Sequence, residues 1–156
     1  PRRMRRGQPC LVQAVRTTEL TAVFVVPGKA AGKARPRVTR SGTHTYTPDP
    51  GGYVTRVTAY GLEHRQELGL DMWEGPISLD IHVERQMPTA WSKAKRERYL
   101  EMPAPNVPDT VNIAAAVCDA LEGIYYYNDR QVCDVSARQT WGEEHLTTIS
   151  VAQYAG

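Results

Sequence analysis

The sequence predicts a single α+β domain in which a mixed β-sheet of about five strands packs with two to three helices. Three observations lead there. A length of 156 residues is one ordinary domain. A composition of 41% hydrophobic and 23% charged residues supports a packed core and excludes disorder, collagen-like repeats and coiled coil as the main state. The hydrophobic patterns read, in order, strand, strand, helix, strand, short helix, helix, strand, strand. No stretch approaches the roughly 18–20 continuous apolar residues that cross a bilayer, and Leu11 to Val15 is too short for a signal-peptide core, so a soluble, cytoplasmic protein with no membrane partner is expected.

Residues 1–20 read as a basic arm and 21–156 as the domain. Thr21 to Val26 is a β-branched run stopped by Pro27 and Gly28, a buried strand entering a turn. Residues 28–42 interleave Gly and Pro with Lys29, Lys33, Arg35, Arg37 and Arg40, too irregular and polar for a helix, and form a basic loop. Thr43 to Thr47 can pair back as a short strand, Pro48 to Gly52 is a turn, and Tyr53 to Leu68 is a helix weakened by Thr55, Thr58 and Gly61. Ile77, Leu79, Ile81 and Val83 alternate with Ser78, Asp80, His82 and Glu84, the period of a half-buried strand, which puts His82 on the polar face. Ser92 can cap a short basic helix, Lys93 to Leu100, most simply a solvated face. Met102 to Pro108 is an extended, proline-rich connector. Thr110 to Leu121 is an Ala-rich helix with Asp109 at its N-cap and Gly123 past its end. Gln131 to Trp141 and His145 to Tyr154 alternate around Gly142 and are expected to close the chain as a hairpin.

Charge is uneven along the chain. Residues 1–40 hold ten basic groups (Arg2, Arg3, Arg5, Arg6, Arg16, Lys29, Lys33, Arg35, Arg37, Arg40) against Glu19, a local +9; the whole-chain total of +2 leaves −7 for the remainder. A basic part joined to an acidic one suits a protein that holds phosphate backbone with one and cations with the other. For Arg2 to Arg6, a solvated end that touches nothing is an equal alternative. Cys10, Cys118 and Cys133 form no close pair and read as core thiols; His44, His64, His82 and His145 lack metal-type spacing, which argues against zinc.

Chemistry concentrates between Pro108 and Val132. Asp109 and Asp129 bracket one three-turn helix, and carboxylates at such junctions are natural ligands for Mg²⁺, which takes oxygen donors and keeps several waters. The bland alternatives are that Asp109 is only an N-cap and Asp129 only a turn residue.

The run from Pro108-Asp109-Thr110-Val111-Asn112 through Asp119-Ala120-Leu121-Glu122-Gly123 to Asn128-Asp129-Arg130-Gln131-Val132 resembles the RusA-type Holliday junction resolvases (crossover junction endodeoxyribonucleases). Those carry Lys-Pro-Asp-x-Asp-Asn-Leu-x-Lys, then Asp-Ala-Leu-Asn-Gly, then Asp-Asp-x-Gln-Val. Earlier landmarks follow in the same order: Val26-Pro27-Gly28, Gly32-Lys33-Ala34-Arg35-Pro36-Arg37, Tyr46-Thr47-Pro48, Gly75-Pro76 and Trp91-Ser92-Lys93. The likeness covers about Thr21 to Tyr154. It implies a homodimer that binds four-way DNA junctions and cuts symmetric strands with Mg²⁺, Mn²⁺ being an alternative ion. Asp109 and Asp129 would be ligands, Asn128 and Asn112 weaker supports, and Lys29, Lys33, Arg35, Arg37 and Arg40 the backbone grip.

Four motif positions differ: Val111 replaces the second aspartate, Ala115 the helix lysine, Asn128 the first of the Asp-Asp pair, and Val107 the lysine before Pro-Asp. Losing a carboxylate and a cation lowers metal affinity and phosphate neutralisation, so impaired cleavage is expected, and the alternative is an inactive branched-DNA-binding protein of the same fold. A structural protein that uses the fold without DNA would leave the +9 charge unexplained.

Overall fold

The computed structural model describes residues 18–105 and 108–154. Arg2 to Arg16, Cys10 and Val107 lie outside the described residues. Nine elements follow in chain order: β1 (Thr18–Pro27), β2 (Arg37–Val38), β3 (Thr45–Tyr46), α1 (Tyr53–Glu67), β4 (Ile77–Gln86), α2 (Lys93–Tyr99), α3 (Thr110–Leu121), β5 (Val132–Gly142) and β6 (Leu146–Tyr154). The α+β class agrees with the sequence pattern, and so does the order of elements except that a two-residue strand, β2, forms within the 28–42 stretch expected to be loop.

The main sheet is mixed and four-stranded, in the order β1-β6-β4-β5, with β4 and β5 parallel and the other pairs antiparallel. β2 and β3 pair only with each other, so the strand expected at Thr43 to Thr47 makes a small exposed ribbon rather than a fifth strand of the sheet. Alternation decides which sheet face is dry. Ala22, Phe24 and Val26 of β1, Ile77, Leu79, Ile81 and Val83 of β4, and Ile149 and Val151 of β6 are all buried. Each of these side chains larger than Ala22 contributes about 1.5–3 kcal/mol of apolar burial, enough to lock register, because a slip of one residue would turn the set to water.

Two helices meet this core. α1 buries Tyr53, Val57 and Gly61, and α3 buries Ile113, Ala116, Val117, Ala120 and Leu121, the spacing of one helical face. α3 stops at Leu121, and Gly123 follows with φ +79°, a backbone region costly for other residues. The opposite sheet face is polar: His82 Nε2 and Thr140 Oγ1 lie 2.7 Å apart, and Arg138 pairs with Asp80 at 3.2 Å in an exposed setting.

The expected terminal hairpin is absent. β4 lies between β5 and β6, and Glu143 to His145 pass over its end. Three residues reach about 10 Å, just the width of two strand spacings, so the link is sterically sufficient. The end of β4 is tied down beneath it: Met87 N–H donates to the Gly142 carbonyl at 3.0 Å and Gln86 N–H to His145 Nδ1 at 3.2 Å. β4 takes the inner place because its alternation is the most apolar, whereas β5 buries only Gln139 and Gly142. The cysteine expectation also needs correcting: Cys118 is half-buried, but Cys133 lies exposed on edge strand β5.

Candidate active site

Asp109 caps α3. Its Oδ1 accepts the Asn112 N–H at 2.8 Å, satisfying a donor that every helix start leaves open, and its carbonyl accepts Ile113 N–H at 3.1 Å as the first bond of the helix. Asp109 is exposed. Val111, two residues on, is 79% exposed and contributes no donor atom. Ala115 is half-buried one turn further.

The basic loop folds directly onto this helix start. Lys33 N–H donates to the Asn112 carbonyl at 3.1 Å. Gly32 permits that approach, since a Cβ there would lie 3.0 Å from the Cβ atoms of both Asn112 and Pro108. A cleft of about 480 Å³ opens between Lys29, Gly32, Lys33, Pro50, Pro108 and Asn112. Lys29, Lys33, Arg35, Arg37 and Arg40 are all exposed, the last two on and beside the β2–β3 ribbon.

Lys33 is not a free cation. Its ammonium sits 2.7 Å from Asp119 Oδ2, about two turns along α3 from the loop's main-chain contact at Asn112. The bond and field of Asp119 raise the Lys33 pKa above its ordinary value, with Asp129 and the Cys118 sulfur adding to the pull against some burial. Lys33 therefore links the helix start to the neighbourhood of Asp129. With both partners half-exposed, the pair adds little to stability.

Asp129 opens a short 3-10 turn, Asp129–Gln131. Asn128 caps it, its side-chain oxygen accepting Arg130 N–H at 2.9 Å, and Gln131 Oε1 accepts the N–H groups of Tyr127 and Asn128. Gln131 Nε2 donates to the carbonyls of Trp73 and Gly75 at 2.7 and 3.0 Å, which anchors the turn to the chain entering β4. The Asn128 side chain is thus engaged in a capping box, while the Asp129 carboxylate remains exposed. Next to it, burial pushes the Cys118 thiol up, with Asp119 and Asp129 adding, so this sulfur is a poor nucleophile at neutral pH.

Two arginines that the sequence pattern did not single out hold the basic loop. Arg56 of α1 donates Nε to the Pro27 carbonyl at 3.2 Å, Nη2 to the Lys29 carbonyl at 2.9 Å, and Nη1 to the Gly51 carbonyl. Arg85 of β4 donates Nη1 to the Ala30 carbonyl at 3.3 Å. The signal for Arg85 was its parity: it continues the buried phase of Ile77 to Val83 by one more step of two.

The donors of this region are hard oxygens, the type that Mg²⁺ takes. Among the described residues, however, no three His, Cys, Asp or Glu side chains converge to share an ion.

The model of the family described as endodeoxyribonuclease RusA matches residues 27–152. The chain belongs to the RusA endodeoxyribonuclease family. The match spans both the basic loop and the two aspartate corners, and it begins a few residues after the Thr21 start of the sequence resemblance. A relative in Bacillus subtilis (strain 168), bearing the name "Uncharacterized protein YqaN", is 29% identical over 138 residues, covering 83% of this chain and 94% of its own length. Among the described residues, no helix of this RusA-family chain is long and apolar enough to cross a membrane.

Proposed function

We propose that this RusA-family chain is a structure-selective endodeoxyribonuclease that acts on four-way DNA junctions in the cytoplasm, as a homodimer and with a divalent cation. The observation that carries the reading is the folding of the Lys29–Arg40 loop onto the start of α3, where Lys29 and Lys33 line a cleft with Pro108 and Asn112, the residues on either side of the exposed Asp109 cap. Asp109 and Asp129 would hold Mg²⁺ or Mn²⁺, with Asn112 at the rim and Asn128 acting by holding the turn that presents Asp129. The ion would supply a Lewis acid for the scissile phosphate and lower the pKa of an attacking water. The loop cations hold the backbone on either side, a sequence-independent contribution.

The exposed Val111 and the incomplete carboxylate set favour a second reading, an inactive branched-DNA binder. One experiment separates them. A labelled four-way junction is incubated with the parent chain and with Asp109→Asn, in Mg²⁺ and in Mn²⁺. Asparagine caps helices as well as aspartate but is a poor magnesium ligand, so the variant keeps the fold. Cleavage by the parent and its loss in the variant support the nuclease; tight binding with no cleavage by either supports the binder. Light scattering that returns a single chain mass at tens of micromolar would count against the homodimer.

A further inference from the structure

Arg85 is completely buried, and among the described residues no carboxylate acts on it: burial lowers its pKa, and the Tyr53 hydroxyl opposes that. A buried cation without an acidic partner is costly, and the simplest remedy is a glutamate beside it. Position 139 is where that glutamate would stand, and it is Gln139. Arg85 Nε donates to Gln139 Oε1 at 2.8 Å, which fixes which end of the amide carries oxygen. The other end, Nε2, donates to the Pro108 carbonyl at 3.1 Å and to Thr110 Oγ1 at 3.0 Å. A carboxylate can satisfy Arg85 but cannot donate to Pro108. The fold has given up an ion pair in its interior to keep a donor aimed at the two residues that flank Asp109.

The second arm of Arg85 runs to the facing wall of the same cleft, where Nη1 donates to the Ala30 carbonyl between Lys29 and the Gly32–Lys33 contact. Among the described residues its Nη2 has no hydrogen-bond partner, so the guanidinium is not placed to satisfy itself fully. One buried group therefore ties together the two segments that carry the candidate chemistry, the cap of α3 and the basic loop.

We infer that Arg85 and Gln139 are positioning residues, a buried relay that sets the spacing between the Asp109 carboxylate and the loop lysines. This rests on the nuclease reading of the site, and outer contacts of this kind are commonly worth 10–100-fold in metal affinity or rate.

The test uses two substitutions in the full chain. Gln139→Glu keeps the Arg85 contact, adds the missing counter-charge and removes the donor to Pro108. Thr110→Val changes no charge and removes only the hydroxyl at the far end. Four quantities are read: melting temperature, junction affinity, single-turnover cleavage with Mg²⁺ or Mn²⁺, and amide hydrogen exchange at Asn112 and Lys33. Gln139→Glu is expected to melt no lower than the parent and to bind junctions within about twofold of it, while its cleavage rate at saturating junction falls about 10–100-fold. Exchange at Asn112 and Lys33 should accelerate in both variants, with amides of β4 and β6 unchanged. The two substitutions should be far from additive in rate, since they break one link.

A folded Gln139→Glu that cleaves at the parent rate with unchanged exchange overturns the relay. If that variant does not fold, Thr110→Val decides the matter alone by the same readouts. A parent chain that binds junctions but cuts none with either metal defeats the nuclease reading instead, and the relay is then judged by exchange at Asn112 and Lys33, where no change refutes it.

Discussion

The double substitution Val111→Asp with Ala115→Lys restores the carboxylate and the cation that the RusA-type motif carries at these positions, and the structure shows that the fold can bear both. Val111 is 79% exposed in the first turn of α3, so its removal sacrifices little buried apolar surface. Valine and aspartate have similar helix propensities. The first turn holds no acidic residue, and a carboxylate there gains about 0.3–1 kcal/mol from the helix dipole. Lysine at 115 loses a few tenths of a kcal/mol in propensity against alanine, and the new aspartate four residues earlier returns about as much. The net effect on stability stays within about 1 kcal/mol, a melting shift of at most about 4 °C for a chain of this size. Cleavage of a labelled four-way junction, measured under single turnover, should rise by roughly 100-fold or more, the scale of one well-placed electrostatic group at a phosphoryl centre. Circular dichroism and a melt accompany the assay. A double variant that melts with the parent and cuts nothing in Mg²⁺ or Mn²⁺ would refute a metal site built on Asp109 and Asp129.

Three further outcomes are expected. Junction binding should weaken with salt at a log–log slope of roughly −4 per chain, for about four phosphate contacts from Lys29, Arg35, Arg37 and Arg40, since Lys33 is held by Asp119, and replacing Arg35 and Arg37 together should bring it to roughly −2; an unchanged slope would place DNA elsewhere. Asp49 accepts the Val54 and Thr55 N–H groups and the Thr55 hydroxyl at 2.7–2.9 Å; burial pushes its pKa up, but these bonds, those of Thr55 first, outweigh it and leave the carboxyl below its ordinary value. A depressed carboxylate stabilises the fold above its unfolded pKa and stops doing so as pH falls through the folded one. Asp49→Ala should therefore cost about 1 kcal/mol in urea melts at neutral pH, with the gap closing as pH falls below the ordinary aspartate range. Finally, a Cβ on Gly61 would lie 2.9 Å from Leu121 Cδ2 and 3.3 Å from Phe24 Cζ. Gly61→Ala should lose about 1 kcal/mol net of the helix propensity it gains, and a Leu121→Ala background should abolish that loss; an equal loss in both would mean the contact is not the cause.

The elements are legible in the sequence, because each depends on neighbours a few residues apart. Alternation along Ile77 to Val83, the caps at Ser92 and Asp109, the stop at Gly123 and the irregular basic loop all appear in the structure as the local pattern implies. The RusA-type motif, spread from Pro27 to Gln131, was also legible, since it is order and spacing along the chain. Pairing between distant segments is not legible there and comes from the closed fold. Local alternation in β5 and β6 is compatible with a hairpin, and nothing within either strand records that β4 intrudes between them; that follows from the competition for the inner place, which the most apolar strand wins. Lys33 looked like a free phosphate contact because Asp119, its partner, is 86 positions away in the sequence. Arg85 and Gln139 looked ordinary for the same reason. A buried cation carries no mark of its own in the sequence beyond its parity in β4, and its meaning comes from the carbonyls of Ala30 and Pro108, which only the closed fold brings within reach of its relay.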